Sequence, residues 1–137
     1  MSQLIEVATA PPEFRAEPIT DEAGAAMLRA ALNLFRHWRV ADSEAAVLLD
    51  IAPRTLARRK AGGVGALSRD QKARLSNLIG IHKALRIIFQ DTGRAYDWVR
   101  RPNAAFGGRT ALQVMLGGEL TDLMRVRRYL DAERGGW

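Results

Sequence analysis

The stretch Ser68–Phe89, SRDQKARLSNLIGIHKALRIIF, constrains the fold more than any other. Leu75, Leu78, Ile79, Leu85, Ile88 and Phe89 recur at helical spacing, and Ile81 and Ile87 widen the apolar side. A helix apolar over so much of its circumference has to be covered from more than one direction. The spacing therefore predicts a central rod with other elements packed on both flanks, available also to a dimer interface. Ser68 and Gln71 form an S-x-x-Q capping box that starts the rod. Asp91-Thr92-Gly93 is expected to end it.

Upstream, residues 1–19 contain Pro11, Pro12 and Pro18 with little periodicity, and read as a flexible arm. Leu4, Ile5 and Val7 on that arm are suited to add an extended segment to a partner or to a second copy. Thr20 can cap the first regular helix, with Asp21 and Glu22 in its first turn, where the helix dipole favours negative charge. Adjacent residues on a helix point in different directions, which favours capping over a catalytic carboxylate pair. Met27, Leu28, Ala31, Leu34, Phe35 and Trp38 form one apolar stripe on it.

Next come two short helices. Asp42 or Ser43 is placed to cap the first, which runs to Leu49; Asp50-Ile51-Ala52 is a tight turn; Pro53 opens the second, and Gly62-Gly63 ends it. Two short helices joined in this way are a helix-turn-helix, with Leu48, Leu49, Ile51 and Leu56 on its inner side. Arg54, Thr55, Arg58, Arg59 and Lys60 fall mostly on the outside of the second helix, the helix that enters the DNA major groove in such modules. They are the candidate DNA-binding residues.

After the rod, Arg94–Arg100 reads as a short helix carrying Tyr96, Trp98 and Val99. Pro102-Asn103 and Gly107-Gly108 break regular structure. A short helix with Leu112, Met115 and Leu116 stops at Gly117-Gly118, and a last helix runs from about Leu120 to Arg134. Its apolar residues are Leu120, Leu123, Met124, Val126 and Leu130, while Arg125, Arg128 and Glu133 face water. The sequence closes on Gly135, Gly136 and Trp137, a large aromatic that favours cover from the fold or from a partner.

The run Pro102-Asn103-Ala104-Ala105-Phe106-Gly107-Gly108-Arg109-Thr110, followed by Leu112, Leu116-Gly117-Gly118-Glu119, Val126 and Tyr129-Leu130, resembles the C-terminal domain of the Xre/MbcA/ParS antitoxins. These are the antitoxin halves of RES-domain toxin–antitoxin pairs. Ala111 stands where the family usually has Pro, and Phe106 where Leu is common. The helix-turn-helix resembles the Xre-like module of the same antitoxins, with Asp50 at a turn position that commonly holds Gly and Arg59 where Trp is frequent. The resemblance implies a partner that is a RES-domain toxin consuming NAD, by hydrolysis or ADP-ribosyl transfer. It also implies that the antitoxin's C-terminal region occludes the NAD pocket. Here that region is Arg125, Arg127, Arg128, Tyr129, Arg134, Gly135, Gly136 and Trp137, the expected toxin-binding residues. Cations at a helix end suit a pocket built for pyrophosphate, and Trp137 suits the space of an adenine or nicotinamide ring.

The expected architecture is all-α, with six or seven helices: an arm (1–19), a helix-turn-helix domain (20–66), the long helix (67–92) and a toxin-binding domain (93–137). A net charge of +6, nearly all from Arg, suits a polyanion such as promoter DNA or an acidic partner. An Arg-rich composition spread along the chain is also compatible with no such role. A homodimer is expected, since helix-turn-helix readers match two-fold operators. There is no cysteine, and His37 and His82 are the only histidines, so neither thiolate chemistry nor a metal site is expected. The glycines at 62, 63 and 65 follow a helix rather than a strand and lack the Lys-Ser/Thr of a phosphate loop. No catalytic constellation, cofactor, signal peptide or membrane span is expected, and the cytoplasm is the default compartment. A stand-alone transcriptional regulator, dimerising through its C-terminal half, is the alternative function.

Overall fold

The structure, a computed structural model, describes residues 18–63 and 65–135. Seven α-helices follow one another among them: α1 Asp21–Trp38, α2 Asp42–Leu49, α3 Pro53–Lys60, α4 Arg69–Ile88, α5 Thr92–Asp97, α6 Ala111–Met115 and α7 Leu120–Gly135. Two 3-10 turns, Trp98–Arg100 and Ala104–Phe106, lie between α5 and α6. Most of the arm and the final Gly136 and Trp137 lie outside the described residues.

The rod is α4, with α1 packed on one side and α7 on another. Leu75, Leu78, Ile81, Ala84 and Leu85 are each 1% exposed or less. Ile87 departs from the expected stripe and is 62% exposed. It lies two residues past Leu85, about 200° further round the helix, so the residues that bury Leu85 cannot also cover it. The buried side chains of all seven helices form one continuous cluster, so the two units expected from the sequence share a core.

The caps explain where the helices begin. Thr20 Oγ1 accepts from the Ala23 N–H at 3.1 Å, and the Ser68–Gln71 box closes reciprocally at 3.0 and 2.9 Å. Two expected boundaries move. The N-cap of α2 is Ala41 rather than Asp42 or Ser43, because the Glu44 carboxylate accepts from the Ala41 N–H at 2.9 Å. Asp42, already helical, is left available to another partner. The rod stops at Ile88, and Thr92 opens α5 instead of terminating α4, since Asp91 Oδ1 accepts from the Arg94 N–H at 3.0 Å. The helix read as Arg94–Arg100 is thus α5 running into a 3-10 turn.

Candidate functional site

The helix-turn-helix is built as its residues dictate. Asp50 takes φ 52°, the left-handed conformation that an Asx residue tolerates, and reverses the chain after α2. Gln71 of α4 donates to the Asp50 carbonyl at 3.0 Å and holds the turn from below. Pro53 occupies the first position of α3, where a missing N–H costs nothing. Leu56 is the one buried residue of α3.

The five residues expected to meet DNA have different surroundings. Arg54 and Arg58 are exposed, and Thr55 is half-buried. Arg59 donates to the carbonyls of Gly65 at 2.8 Å and Ala66 at 3.2 Å, stapling the following connector onto α3. Lys60 Nζ lies 2.7 Å from Asp42 Oδ1, an exposed pair joining α3 to the start of α2. The cations pointing from α3 into solvent are therefore Arg54 and Arg58. A cation in place of the family's frequent Trp at 59 keeps a packing task by a different chemistry.

The C-terminal unit starts from a compact turn. The Asn103 side chain accepts from Ala105 N–H at 2.8 Å, and its backbone N–H donates to the Arg109 carbonyl at 3.0 Å. Gly107 and Gly108, at φ 67° and 86°, allow the chain to double back, and Pro102 and Thr110 form a β-bridge. Phe106 is thereby driven inward, to 2% exposure. Thr110 and Gln113 make a capping box at 3.0 and 2.8 Å, which starts α6 without the family's usual Pro at 111.

An aromatic trio locks this turn to α7. Trp98 and Tyr129 stack at 6.1 Å between centroids, and Phe106 meets both edge-on at 6.3 and 5.3 Å. Trp98 thus packs, as expected. Of the anticipated toxin-binding residues, Arg125 lies over the Phe106 ring at 5.4 Å. Arg127 is turned inward: it donates to the Ser76 carbonyl at 3.2 Å, approaches Asp131 at 3.6 Å and lies against Gly80, where a Cβ would come within 2.7 Å of its Nε. Tyr129 is half-buried in the trio, Arg128 and Gly135 are exposed, and Arg134 sits 3.7 Å from Asp131. Gly136 and Trp137 are outside the described residues.

Arg74 escaped the sequence reading and joins the two surfaces. It is 4% exposed. Its Nε donates to Asp70 at 2.7 Å, its Nη1 reaches the Val47 and Leu48 carbonyls at 3.3 Å, and its Nη2 donates to the Gly118 carbonyl at 2.7 Å. One guanidinium thus satisfies the open C-terminal end of α2 and the turn between α6 and α7. Arg100 plays a similar part for α1, donating to the Trp38 carbonyl at 2.7 Å and to that of Arg39. A signal existed only for Arg74: its place among the apolar positions of the rod, one residue before Leu75. Part of the basic charge is consequently committed to bonds within the fold, through Arg59, Arg74, Arg100 and Arg127.

His37 and His82 flank Tyr96, stacked at 4.3 and 5.6 Å between centroids. Burial, the nearby Arg86 and then His37 hold the His82 pKa below its ordinary value of 6.5. No group of three or more His, Asp or Glu among the described residues is arranged to hold a metal ion. No helix among them is long and apolar enough to cross a membrane.

Comparison with known proteins follows the same division. Residues 84–136 match the family model for the antitoxin Xre/MbcA/ParS C-terminal toxin-binding domain, and residues 17–80 match that for the antitoxin Xre-like helix-turn-helix domain. The uncharacterized protein y4oB of Sinorhizobium fredii is 44% identical over 121 residues, spanning 87% of this chain and 93% of that protein. At the level of fold, the chain is similar to a structure from the M. tuberculosis MbcT-MbcA toxin-antitoxin complex. The TM-score is 0.53 at 21% identity, over 82% of this chain and 94% of that one. With its helix-turn-helix, its Pro102-Asn103 turn and its closing helix in the order those two domains require, the chain belongs to the Xre/MbcA/ParS family of antitoxins from toxin–antitoxin systems.

Proposed function

We propose that this antitoxin silences a RES-domain toxin that consumes NAD, by covering the toxin's active site with the C-terminal end of α7 and the residues beyond it. The observation that carries the reading is how α7 is mounted. Leu123, Val126 and Leu130 are buried and Arg127 is bonded to α4, so most of the helix is rigidly held. Among the described residues past Leu130 no side chain is buried, and Glu133 and Arg134, like Arg128 one turn before, project into solvent. A fixed helix whose exposed last turns present Arg128 and, beside Asp131, Arg134 is suited to enter a pocket that binds pyrophosphate. Arg127 is left out of that contact and serves as its mount, while Arg128 and Arg134 carry the charge.

The test is NAD consumption by the co-purified toxin. Deleting residues 132–137 should abolish protection, and Arg128→Glu should weaken it about tenfold, the cost of losing one favourable cross-interface charge contact. Full protection by the shortened chain would refute the reading.

The same chain is proposed to repress its own promoter as a homodimer, with Arg54 and Arg58 on phosphates or guanines and Thr55 beside them. Affinity should fall steeply with salt, and replacing both arginines by Ala should flatten the dimer's slope by up to about four units, two for each protomer. Arg59→Ala should act differently, by loosening the connector rather than by changing the slope. A salt dependence unchanged by the double substitution would remove α3 from the interface.

A further inference from the structure

Ile87 is the most exposed large hydrophobic residue among those described, and neither proposed binding activity uses it. A single exposed isoleucine is ordinary on a protein surface. Its position beside α7 is what sets it apart. α7 runs along α4 in the same direction: the Gly118 carbonyl, just before α7, accepts from Arg74, and Arg127 lies against Ser76 and Gly80 further along. Ile87 stands seven residues beyond Gly80, and Arg134 seven beyond Arg127. Seven residues are two turns of helix, about 10 Å, and return to within about 20° of the same face. The seam marked by Gly80 and Arg127 therefore leads, two turns on, to Ile87 on one side and Arg134 on the other. Both are exposed there, so the seam opens to solvent where α7 ends.

We propose that Ile87 is the apolar anchor of the toxin contact, with Lys83 and Arg134 as its cationic flanks, and that the toxin meets it with an apolar hollow bordered by carboxylates. The proposal rests on the reading of α7 as the element that covers the toxin, and adds the end of α4 to that surface. Three observations carry it. First, the seam makes Ile87 continuous with the exposed last turns of α7. Second, the match to the toxin-binding domain begins at residue 84, so the last turn of α4 lies within that domain while most of the rod does not.

Third, the charge around Ile87 is of one prevailing sign. Lys83, one turn before it, is exposed, and no carboxylate among the described residues pairs with it. Arg134 has Asp131 at 3.7 Å, an exposed pair that leaves the cation accessible. An apolar centre inside a cationic rim selects a partner whose own rim is acidic. The isoleucine side chain leaves water only when that partner arrives, so its area counts toward binding rather than toward the stability of the free chain.

The test uses the full chain and the co-purified toxin, with affinity measured beside NAD consumption. Ile87→Asp should weaken binding about tenfold or more, as removal of a buried interface anchor does. Lys83→Glu should weaken it to a smaller degree, and Ile87→Leu should leave it unchanged. Far-UV circular dichroism and the melting temperature of the free antitoxin should be unaffected, since both side chains are exposed. Lys83→Glu alters no packed atom, so it stands as a second probe even if Ile87→Asp disturbs the fold. Unaltered affinity in both variants would overturn the proposal. So would an Ile87→Asp chain that loses self-association while keeping its hold on the toxin, which would give this face to a second copy. Failure of the α7 reading looks different. A chain lacking residues 132–137 that still protects, beside an Ile87→Asp chain that loses affinity, would remove the end of α7 from the toxin's active site and leave Ile87 in the interface.

Discussion

The second helix of the helix-turn-helix, α3, and the closing helix α7 are both rich in arginine, yet they are held in opposite ways. α3 is eight residues long and is anchored by one buried side chain, Leu56. Its remaining attachments are polar and lie at its C-terminal end, through Arg59 and Lys60. α7 is twice as long, buries Leu123, Val126 and Leu130, and directs Arg127 inward onto α4. The lightly anchored helix can adjust to a groove whose width varies with sequence. The firmly anchored one can hold a projecting end in place. An equal number of cations, four in each helix, thus conceals a difference in mechanical support.

The contrast can be broken most severely at the one residue that serves both regions. Arg74→Met should cost about 3–5 kcal/mol, because it strands the part-buried Asp70 carboxylate and the carbonyls of Val47, Leu48 and Gly118. Urea unfolding should show that loss in a single transition if the shared core makes the two regions one cooperative unit. Two separated transitions would show that the guanidinium, rather than the core, unites them.

Leu56→Ala comes next, at about 2–4 kcal/mol by the cost of an emptied core position. Its mark should be regional, with amide exchange accelerated in α3 and its connector and nearly unchanged in α7. Uniform acceleration would contradict the thin attachment of α3. Gly80→Ala should be close to neutral, within about 1 kcal/mol, although its Cβ would collide with the Arg127 guanidinium. The colliding atoms are the far end of a flexible side chain, and alanine gains helix propensity. The bond from Arg127 to Ser76 should be lost, and the freed cation should change the salt dependence of toxin binding. A large loss of stability would mean that the Arg127 mount is stiffer than its one carbonyl bond implies.

The smallest effect concerns pH, at the point where α1, α4 and α5 meet. The His82 pKa is lowered in the fold, so below its ordinary value of 6.5 the unfolded chain takes up a proton that the folded chain refuses. Stability should therefore decline as pH falls through 6.5 and level off below the folded pKa. His82→Gln should reduce that decline, read as the shift in melting temperature between pH 7 and pH 5. The positions of both histidines on the face of Tyr96 make this a property of the α1–α5 contact rather than of either proposed binding surface.

Much of the fold was legible because its signals are local. The rod, the first helix, the capping box at Ser68, the αL turn at Asp50 and the stop at Gly117-Gly118 depend on residues within a few positions of one another; the equally local box at Thr110 went unread. The boundary at Asp42 moved because Glu44, reaching back to the Ala41 N–H, starts the helix one residue earlier without a capping side chain, and the one at Thr92 because Asp91 caps a new helix where the rod was expected to end. The candidate site was less legible. Charge spacing marks a helix face as cationic, but it cannot distinguish Arg58 in solvent from Arg59 bonded to a connector, or Arg128 at the surface from Arg127 against Gly80.

By itself, then, the sequence determined helical content, the order of the elements, the turn chemistry and membership of a two-part antitoxin family. The first three follow from periodicity and from short-range hydrogen bonding, and the family from the resemblance of its motifs, which both family models bear out. Tertiary structure decided which arginines are structural. A guanidinium has five donors and a reach of several ångströms, and its partners are carbonyls left open at helix ends that may be dozens of residues away, as Gly118 is from Arg74. Those distances exist only once α2, α4 and α7 have packed.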